Sequence, residues 1–313
     1  MTAGLLFDIA LVVGLTIIAF RAIHAPDLFV GAVLYIVFGL LLALVWVRLN
    51  APDLALAEAA IGAGITGAML LDAVRQVGSP ARRAPVLTRI GRVAPWAGAV
   101  GLGAVAAGAL VTLEDRGGTL GEMVRGRVAE SGVDHPVTAV LLVFRGYDTW
   151  LEVGVLLVAA IAVLGVRRTR VLVPSEPSSE APPIATAAAG VLLPAGVLIG
   201  GFLLWTGSHA PGGAFQAAAV LAAMGILVSL LGRPPLASLS ALRLRLLLVC
   251  GFTTFLAAGV VGLLVEDAFL RYPAAAAGWI ITVIELAVTV SIAASLVLLF
   301  AGGRDRAADE AAG

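Results

Sequence analysis

Nine stretches of the chain carry almost only apolar side chains, and the polar residues are concentrated between them. The stretches cover residues 3–20, 28–47, 53–74, 95–113, 137–166, 184–206, 213–232, 242–265 and 277–301. A helix of about 20 apolar residues spans the hydrocarbon core of a bilayer. None of the stretches shows the period-two alternation of a barrel strand, and other backbone conformations leave unpaired groups in lipid. The pattern therefore predicts an all-α fold, a polytopic membrane helix bundle of about nine transmembrane helices.

Composition supports a membrane protein and excludes several functions. Of the 313 residues 60% are hydrophobic and 13% charged, whereas a soluble domain is about 45–50% apolar and about 25% charged. The net charge is zero, which gives no indication of nucleic-acid binding. Cys250 is the single cysteine and cannot form an internal disulfide. Because no nucleophile elbow, phosphate loop or cluster of metal ligands is present, we expect neither enzymatic activity nor a cofactor.

The arginines, which are the only basic side chains besides histidine, predict an orientation. Loops after the odd-numbered spans hold fourteen arginines and the opposite loops hold five. Because cytoplasmic loops are enriched in basic residues, the N-terminus should lie outside and the C-terminus in the cytoplasm. The first stretch lacks the basic region and cleavage site of a signal peptide, so we expect it to be a retained span.

Two polar segments divide the chain. Residues 171–183 lie in a stretch rich in proline, serine and charge, as expected of an extended linker. A second polar break, before the fourth apolar stretch, ends near residue 93. The last residues, 304–313, have the composition of a disordered tail. The sequence thus predicts groups of three, two and four helices.

Acidic residues inside the apolar stretches are the main functional candidates. Glu58 and Glu285 lie deepest, Asp8 and Glu152 are further candidates, and Asp72 lies near a helix end. An ionisable group at mid-bilayer costs roughly 2.5 kcal/mol or more and usually has a partner or a function. Two interpretations remain open: a polar group bonded to a neighbouring subunit, or a carboxyl group that takes up and releases protons.

The segment "FRGYDTWLE" places three charged residues close together. Arg145, Asp148 and Glu152 are spaced by three and four residues, so on one helix they share a face. Arg145 and Asp148 could form an ion pair, which leaves Glu152 as the spare carboxylate. Gly146 is a potential break in this helix.

The segment "WTGSHAPGGAFQAAAV" is an uncharged polar turn between two apolar stretches. Proline fixes φ and glycine permits positive φ, so the composition predicts a tight hairpin turn. The residues assigned to this turn are Gly207, Pro211, Gly212, Gly213 and Gln216. His209 titrates near neutral pH when unperturbed, so either a plain hairpin or a proton-access role is compatible with the sequence.

The letters "GAGITG", residues 62–67, match a dinucleotide loop but lie inside an apolar stretch, without the strand that such a loop requires. Two other interpretations remain: close packing between helices, and a π-bulge.

Two longer segments, "NAPDLALAEAAIGAGITGAMLLDAV" and "VDHPVTAVLLVFRGYDTWLEVGVLLVAAIAVL", resemble the end of the large A subunit of Mrp-type multisubunit cation/proton antiporters and small subunits of membrane-bound hydrogenases. "GGFLLWTGSHAPGGAFQAAAVLAA" resembles the signature of the antiporter B subunit. Alanines stand at 214, 217 and 218 where that signature usually has glycine.

The resemblance implies a fusion of two subunits in one chain. It divides the sequence into an MbhD-like module over 1–93, an MbhE-like module over 94–170, the linker, and an MnhB-like module over 184–303. It also implies a bacterial inner-membrane complex with an antiporter-like large subunit and small C-, E-, F- and G-type subunits. The chain has no lysine, so those partners would supply the lysine/glutamate pump unit. The resemblance matches Glu58, the Phe144–Asp148 motif and Glu152 to residues of the family. We therefore expect these acids, together with Glu285, Asp148 and Arg145, to form parts of a path for protons and Na⁺, with His209 near one mouth.

Three functions therefore remain to be distinguished. The first is a subunit that carries part of the ion path of an antiporter. The second is a scaffold whose carboxylates only dock neighbouring subunits. The third is a membrane subunit that couples a hydrogenase or dehydrogenase to ion movement.

Overall fold

The computed structural model describes residues 3–77, 89–112, 119–166, 182–233, 235–236 and 238–311. These residues contain helices and turns and no β-strand. The helices are α1 (Ala3–Ile23), α2 (Leu28–Arg48), α3 (Pro52–Ala57), α4 (Thr66–Val77), α5 (Arg89–Thr112), α6 (Thr119–Arg127), α7 (Pro136–Ala139), α8 (Gly146–Val166), α9 (Pro183–Thr206), α10 (Ala214–Leu230), α11 (Ala241–Glu266) and α12 (Ala277–Ala311). Two π-helical segments, Glu58–Ile65 and Val140–Phe144, connect α3 to α4 and follow α7.

The predicted polytopic helical membrane bundle is confirmed. Seven helices among the described residues are long and apolar enough to cross a bilayer, the third of them running from Pro52 through the π-helical segment to Arg75. The remaining two predicted stretches form shorter apolar helices, Trp96–Ala109 and Ala214–Leu230. Within the described residues each of the nine apolar stretches thus contains a helix, as expected because helices satisfy their own backbone in lipid.

Helix α12 is the centre of the larger of two compact units. In α12 67% of the most apolar stretch is buried, compared with 28% or less in the other six spans. It packs against α8, α10 and α11. The larger unit comprises Met1–Gly78 and Val128–Gly313, and the smaller one, with α5 and α6, comprises Ser79–Arg127.

Helices from both sides of the predicted linker pack together within the larger unit. Within the larger unit, α10 packs on α3 and on the π-helical segment Glu58–Ile65, and α12 packs on α4 and α8. Helices from before and after the predicted linker therefore share one core, because their apolar faces cover one another. Most of the linker itself, 171–181, lies outside the described residues.

Two helix boundaries differ from the sequence-based expectation. The predicted stretch 137–166 is broken at Arg145, whose φ of −130° and ψ of 30° end the π-helical segment before α8 begins at Gly146. At the C-terminus α12 continues to Ala311, where a disordered tail was predicted from 304. The alanine, arginine and glutamate residues there are good helix formers and extend the preceding helix.

Candidate functional site

The centre of the site is a buried aspartate that joins three parts of the chain. Asp53, in the first turn of α3, is 7% exposed. Its Oδ2 lies 3.0 Å from Nε2 of His135, and its Oδ1 accepts a hydrogen bond of 3.1 Å from the Gly212 amide. The Asp53 carbonyl accepts a third bond, 3.2 Å long, from Nε2 of Gln216. The segment before α7 and the turn before α10 are thus both bonded to the start of α3.

The predicted turn between α9 and α10 provides the other half of this joint. The Ser208 carbonyl accepts bonds from the backbone amides of Asp134, at 2.9 Å, and His135, at 3.0 Å. The Thr138 hydroxyl donates to the Gly207 carbonyl. The turn is therefore bonded on two sides to the segment that carries His135.

Glycine is required at two positions of this turn. Gly213 has a φ of 102°, which side chains rarely adopt. A Cβ on Gly207 would overlap the Gly213 backbone. The close approach of these two residues brings the polar turn into the bundle and leaves room for the side chain of Glu285.

Glu285, in the first third of α12, is 4% exposed. A Cβ built on Gly207 or on Gly213 would lie 3.2 Å from its Oε1. The Ser208 hydroxyl and the Ala214 amide lie beside the carboxyl group. Asp53 and Glu285 therefore contact adjacent residues, Gly212 and Gly213, and the turn separates two buried carboxyl groups.

A small cavity with an open mouth adjoins Glu285. Polar groups in its lining come from Thr138, Thr149, Gln216 and Glu285, together with the backbone of the glycine pair. The apolar lining is contributed mainly by the π-helical segment after α7 and by α12. The cavity thus lies between α8, α10 and α12, next to the turn.

Glu58 begins the first π-helical segment and is half-buried. Its carboxylate lies over Gly62, where a Cβ would overlap Oε1. Thr66 ends the segment, and its hydroxyl donates to the Ile61 carbonyl at 2.8 Å. The segment contains the "GAGI" of the sequence, and Ala63 packs closely on Gly39 of α2. Both interpretations of this glycine-rich stretch, close packing and a π-bulge, therefore describe the structure.

The three charged side chains of "FRGYDTWLE" lie on the outer surface of the described bundle. Arg145 and Asp148 form the predicted ion pair, with side chains 72% and 49% exposed. Glu152 is also exposed. The structure does not bring these three residues into the buried site, because they face away from α11 and α12.

In the described chain the other sequence candidates bond to or pair with residues other than Asp53 and Glu285. His209 is exposed in the turn, and its backbone amide donates to the Thr206 carbonyl at 2.8 Å. Asp8 pairs with Arg48 through bonds of 2.7 and 3.0 Å. Asp72 is buried in α4 and lies 3.7 Å from Arg75.

Sequence reasoning missed three residues of the site: Asp53, His135 and Thr149. Asp53 follows the proline of "APD" and His135 precedes the proline of "DHP", and each proline lies at a helix start. Polar residues there are also common helix caps, so the pattern did not separate a cap from a buried partner. The usable signal was that both residues lie inside the segments that resemble the end of the antiporter A subunit.

Comparisons with known proteins agree with this arrangement. Residues 13–79 match the MbhD family of MBH subunits, and residues 184–303 match a domain related to the MnhB subunit of the Na⁺/H⁺ antiporter. No curated protein matches significantly.

Two solved structures share the fold. The structure of the Mrp complex from Dietzia sp. DQ12-45-1b matches 95% of this chain with a TM-score of 0.74 at 20% identity, and this chain covers 35% of the matched chain. The membrane-bound sulfane sulfur reductase, an archaeal respiratory membrane complex, matches 67% of this chain with a TM-score of 0.54 at 19% identity, over 97% of its own chain. At these identities the likeness establishes the fold. Together with the two family matches, it shows that the chain is a fusion of an MbhD-like module and an MnhB-like module of the Mrp antiporter type.

Proposed function

We propose that this chain is a membrane subunit of a multisubunit cation/proton antiporter and carries part of its transmembrane ion path. Support comes from the two family matches and from the fold shared with a chain of the Mrp complex. Because this chain spans about a third of that matched chain, other membrane subunits supply the rest of the machinery. These include an antiporter-like large subunit and small C-, E-, F- and G-type subunits. The chain itself catalyses no covalent reaction.

The observation that carries the proposal is the buried carboxyl group of Glu285 beside the turn of the MnhB-like module. A carboxyl group 4% exposed inside a spanning bundle is costly unless it is paired or functional. Around it lie a hydroxyl, a backbone amide and a cavity, and the described lining of that cavity includes no basic side chain. The carboxyl group therefore has polar neighbours without a fixed counter-charge, as a group that changes its protonation state requires.

Within this proposal the remaining acids have distinct roles. Glu58 continues the path through the MbhD-like module, where the π-helical segment holds its carboxylate beside Gly62. Asp148 and Glu152 face outward in a spanning helix, and a carboxylate in lipid needs a partner, so this surface docks a neighbouring subunit. The N-terminus lies outside, the C-terminus lies in the cytoplasm of a bacterium, and Na⁺ is the transported cation.

The test uses the complete complex in everted membrane vesicles. We expect Glu285→Gln and Glu58→Gln to abolish cation-dependent proton movement while the subunits still co-purify. Glu152→Gln should instead weaken co-purification. Glu130→Gln, an exposed acid outside the spanning helices, is the matched control and should behave as wild type. If Glu285→Gln and Glu58→Gln disassemble the complex, or leave antiport intact, the buried acids are structural and the chain is a scaffold.

The likeness to an archaeal respiratory membrane complex supports a second candidate. In that case the chain would be a membrane-arm subunit of a redox complex that couples electron transfer to ion movement. Purification of the native complex distinguishes the two. Co-purifying iron–sulfur or hydrogenase-like subunits would establish the redox complex, and their absence from an active antiporter would exclude it.

A further inference from the structure

The cavity between α8, α10 and α12 is lined by a buried hydroxyl group that makes no hydrogen bond within the described residues. Thr149 is 1% exposed, lines the cavity, and its Oγ1 has no hydrogen-bond partner among the described residues. A buried hydroxyl without a partner costs about 1–3 kcal/mol. Since Thr149 lies in the first turn of α8 and lines the same cavity as Glu285, a ligand in the cavity would satisfy its hydroxyl group.

The polar groups of the cavity present oxygen atoms. Gln216 uses its Nε2 to donate to the Asp53 carbonyl, so its Oε1 is free to accept and lies 3.9 Å from the Cβ position of Gly213. The Thr138 hydroxyl donates its proton to the Gly207 carbonyl, so its lone pairs remain available. Glu285 adds a carboxylate. A group of oxygen acceptors with one negative charge favours a hard cation.

The charge of the cavity lining favours a monovalent cation. One carboxylate balances one positive charge, and the described lining contains no second acid. A divalent ion would retain an uncompensated charge in a bundle that lipid surrounds. The mouth is lined by the partly exposed apolar residues Val137 and Leu141, so a strongly hydrated ion would lose water on entry.

We propose that this cavity binds one partly dehydrated alkali-metal cation, with the Glu285 carboxylate, the Thr149 hydroxyl and the Gln216 amide oxygen as its protein ligands. The inference rests on the proposed antiporter function and names the place where the MnhB-like module holds the transported ion. Competition between this cation and a proton for Glu285 would couple the two movements, because the carboxylate binds one or the other.

The test separates cation affinity from turnover. In everted vesicles with the complete complex, antiport is measured against NaCl and, separately, KCl. Thr149→Val keeps the side-chain volume and removes the hydroxyl, so we expect the KM for the preferred cation to rise about tenfold, the effect of one lost polar ligand. The maximal rate should change less than twofold, and Thr149→Ser should restore the KM.

Thr289→Val is the matched control. Thr289 is also 1% exposed, and its hydroxyl donates to the Glu285 backbone carbonyl at 2.7 Å instead of lining the cavity. An unchanged KM in Thr149→Val, or an equal rise in Thr289→Val, would overturn the cation site. A wild-type complex without antiport in either salt would refute the proposed function instead. In that case retention of radioactive Na⁺ or Rb⁺ by the purified complex tests the site independently, and no difference between wild type and Thr149→Val overturns it.

Discussion

Asp53 joins three segments of the chain, and its removal tests how much that joint stabilises the protein. Asp53→Ala leaves Nε2 of His135 and the Gly212 amide without their acceptor. Each buried group left unpaired costs about 1–3 kcal/mol. Because two buried groups lose their acceptor, we expect the free energy of unfolding to fall by about 2–6 kcal/mol.

A double-mutant cycle isolates the contact between Asp53 and His135. Each single alanine variant should be destabilised, and the double variant should be destabilised by less than their sum. The difference should be about 0.5–3 kcal/mol, as is usual for residues in direct contact. SDS-induced unfolding of the purified protein in mixed micelles, followed by tryptophan fluorescence, measures all four free energies.

Asp134→Ala is the control for this cycle. Asp134 precedes His135, its side chain is exposed, and only its backbone amide takes part in the joint, through Ser208. The free energy of unfolding of Asp134→Ala should therefore lie within about 0.5 kcal/mol of the wild-type value. Additive effects of the two alanine substitutions, or an Asp53→Ala variant as stable as the control, would refute the inference that this contact holds the segments together.

Three further perturbations follow from the described side chains. Burial raises the pKa of Tyr272, which lies in the loop before α12, and its hydroxyl has no partner among the described residues. The contribution of the neutral, buried Tyr272 to stability is complete below the ordinary tyrosine pKa of about 10, and it is lost as pH rises through the raised pKa of the folded protein. Tyr272→Phe should therefore reduce the fall in melting temperature between pH 8 and 11. Gly62→Ala should displace the Glu58 carboxylate and lower antiport in vesicles at unchanged melting temperature, whereas Gly190→Ala, which meets open space, should alter neither. Gly213→Ala forces a side chain to a φ of 102° and should cost about 1–3 kcal/mol in the same micelle unfolding assay; a loss below 0.5 kcal/mol would show that the turn relaxes.

The helical architecture could be predicted from the sequence because lipid imposes a simple rule on apolar segments. Long apolar stretches had to be helices, and the depth of Glu285 in its stretch indicated its burial correctly. The turn was predicted from its glycines and proline, and Gln216 does reach into the bundle.

The contacts between segments could not be predicted in this way. Asp53 and His135 are 82 residues apart in sequence, and periodicity carries no information about which helix ends meet. Glu152 and Glu285 look alike as acids in apolar stretches, yet one is exposed and the other buried. Only the packing of α12 against α8 and α10 distinguishes the buried Glu285 from the exposed Glu152. The histidines illustrate the same limit: the sequence drew attention to His209 for a proton-access role, and the histidine that contacts a carboxylate is His135.

The bond between Asp53 and Gly212 joins residues 159 positions apart, one on each side of the linker. Peptide continuity is therefore not what brings these two regions into contact; it raises their effective concentration and fixes their stoichiometry at one to one. A gene interrupted within the linker would encode two polypeptides that already carry matching surfaces. The fused chain and a pair of separate subunits are then alternative ways of delivering the same membrane assembly.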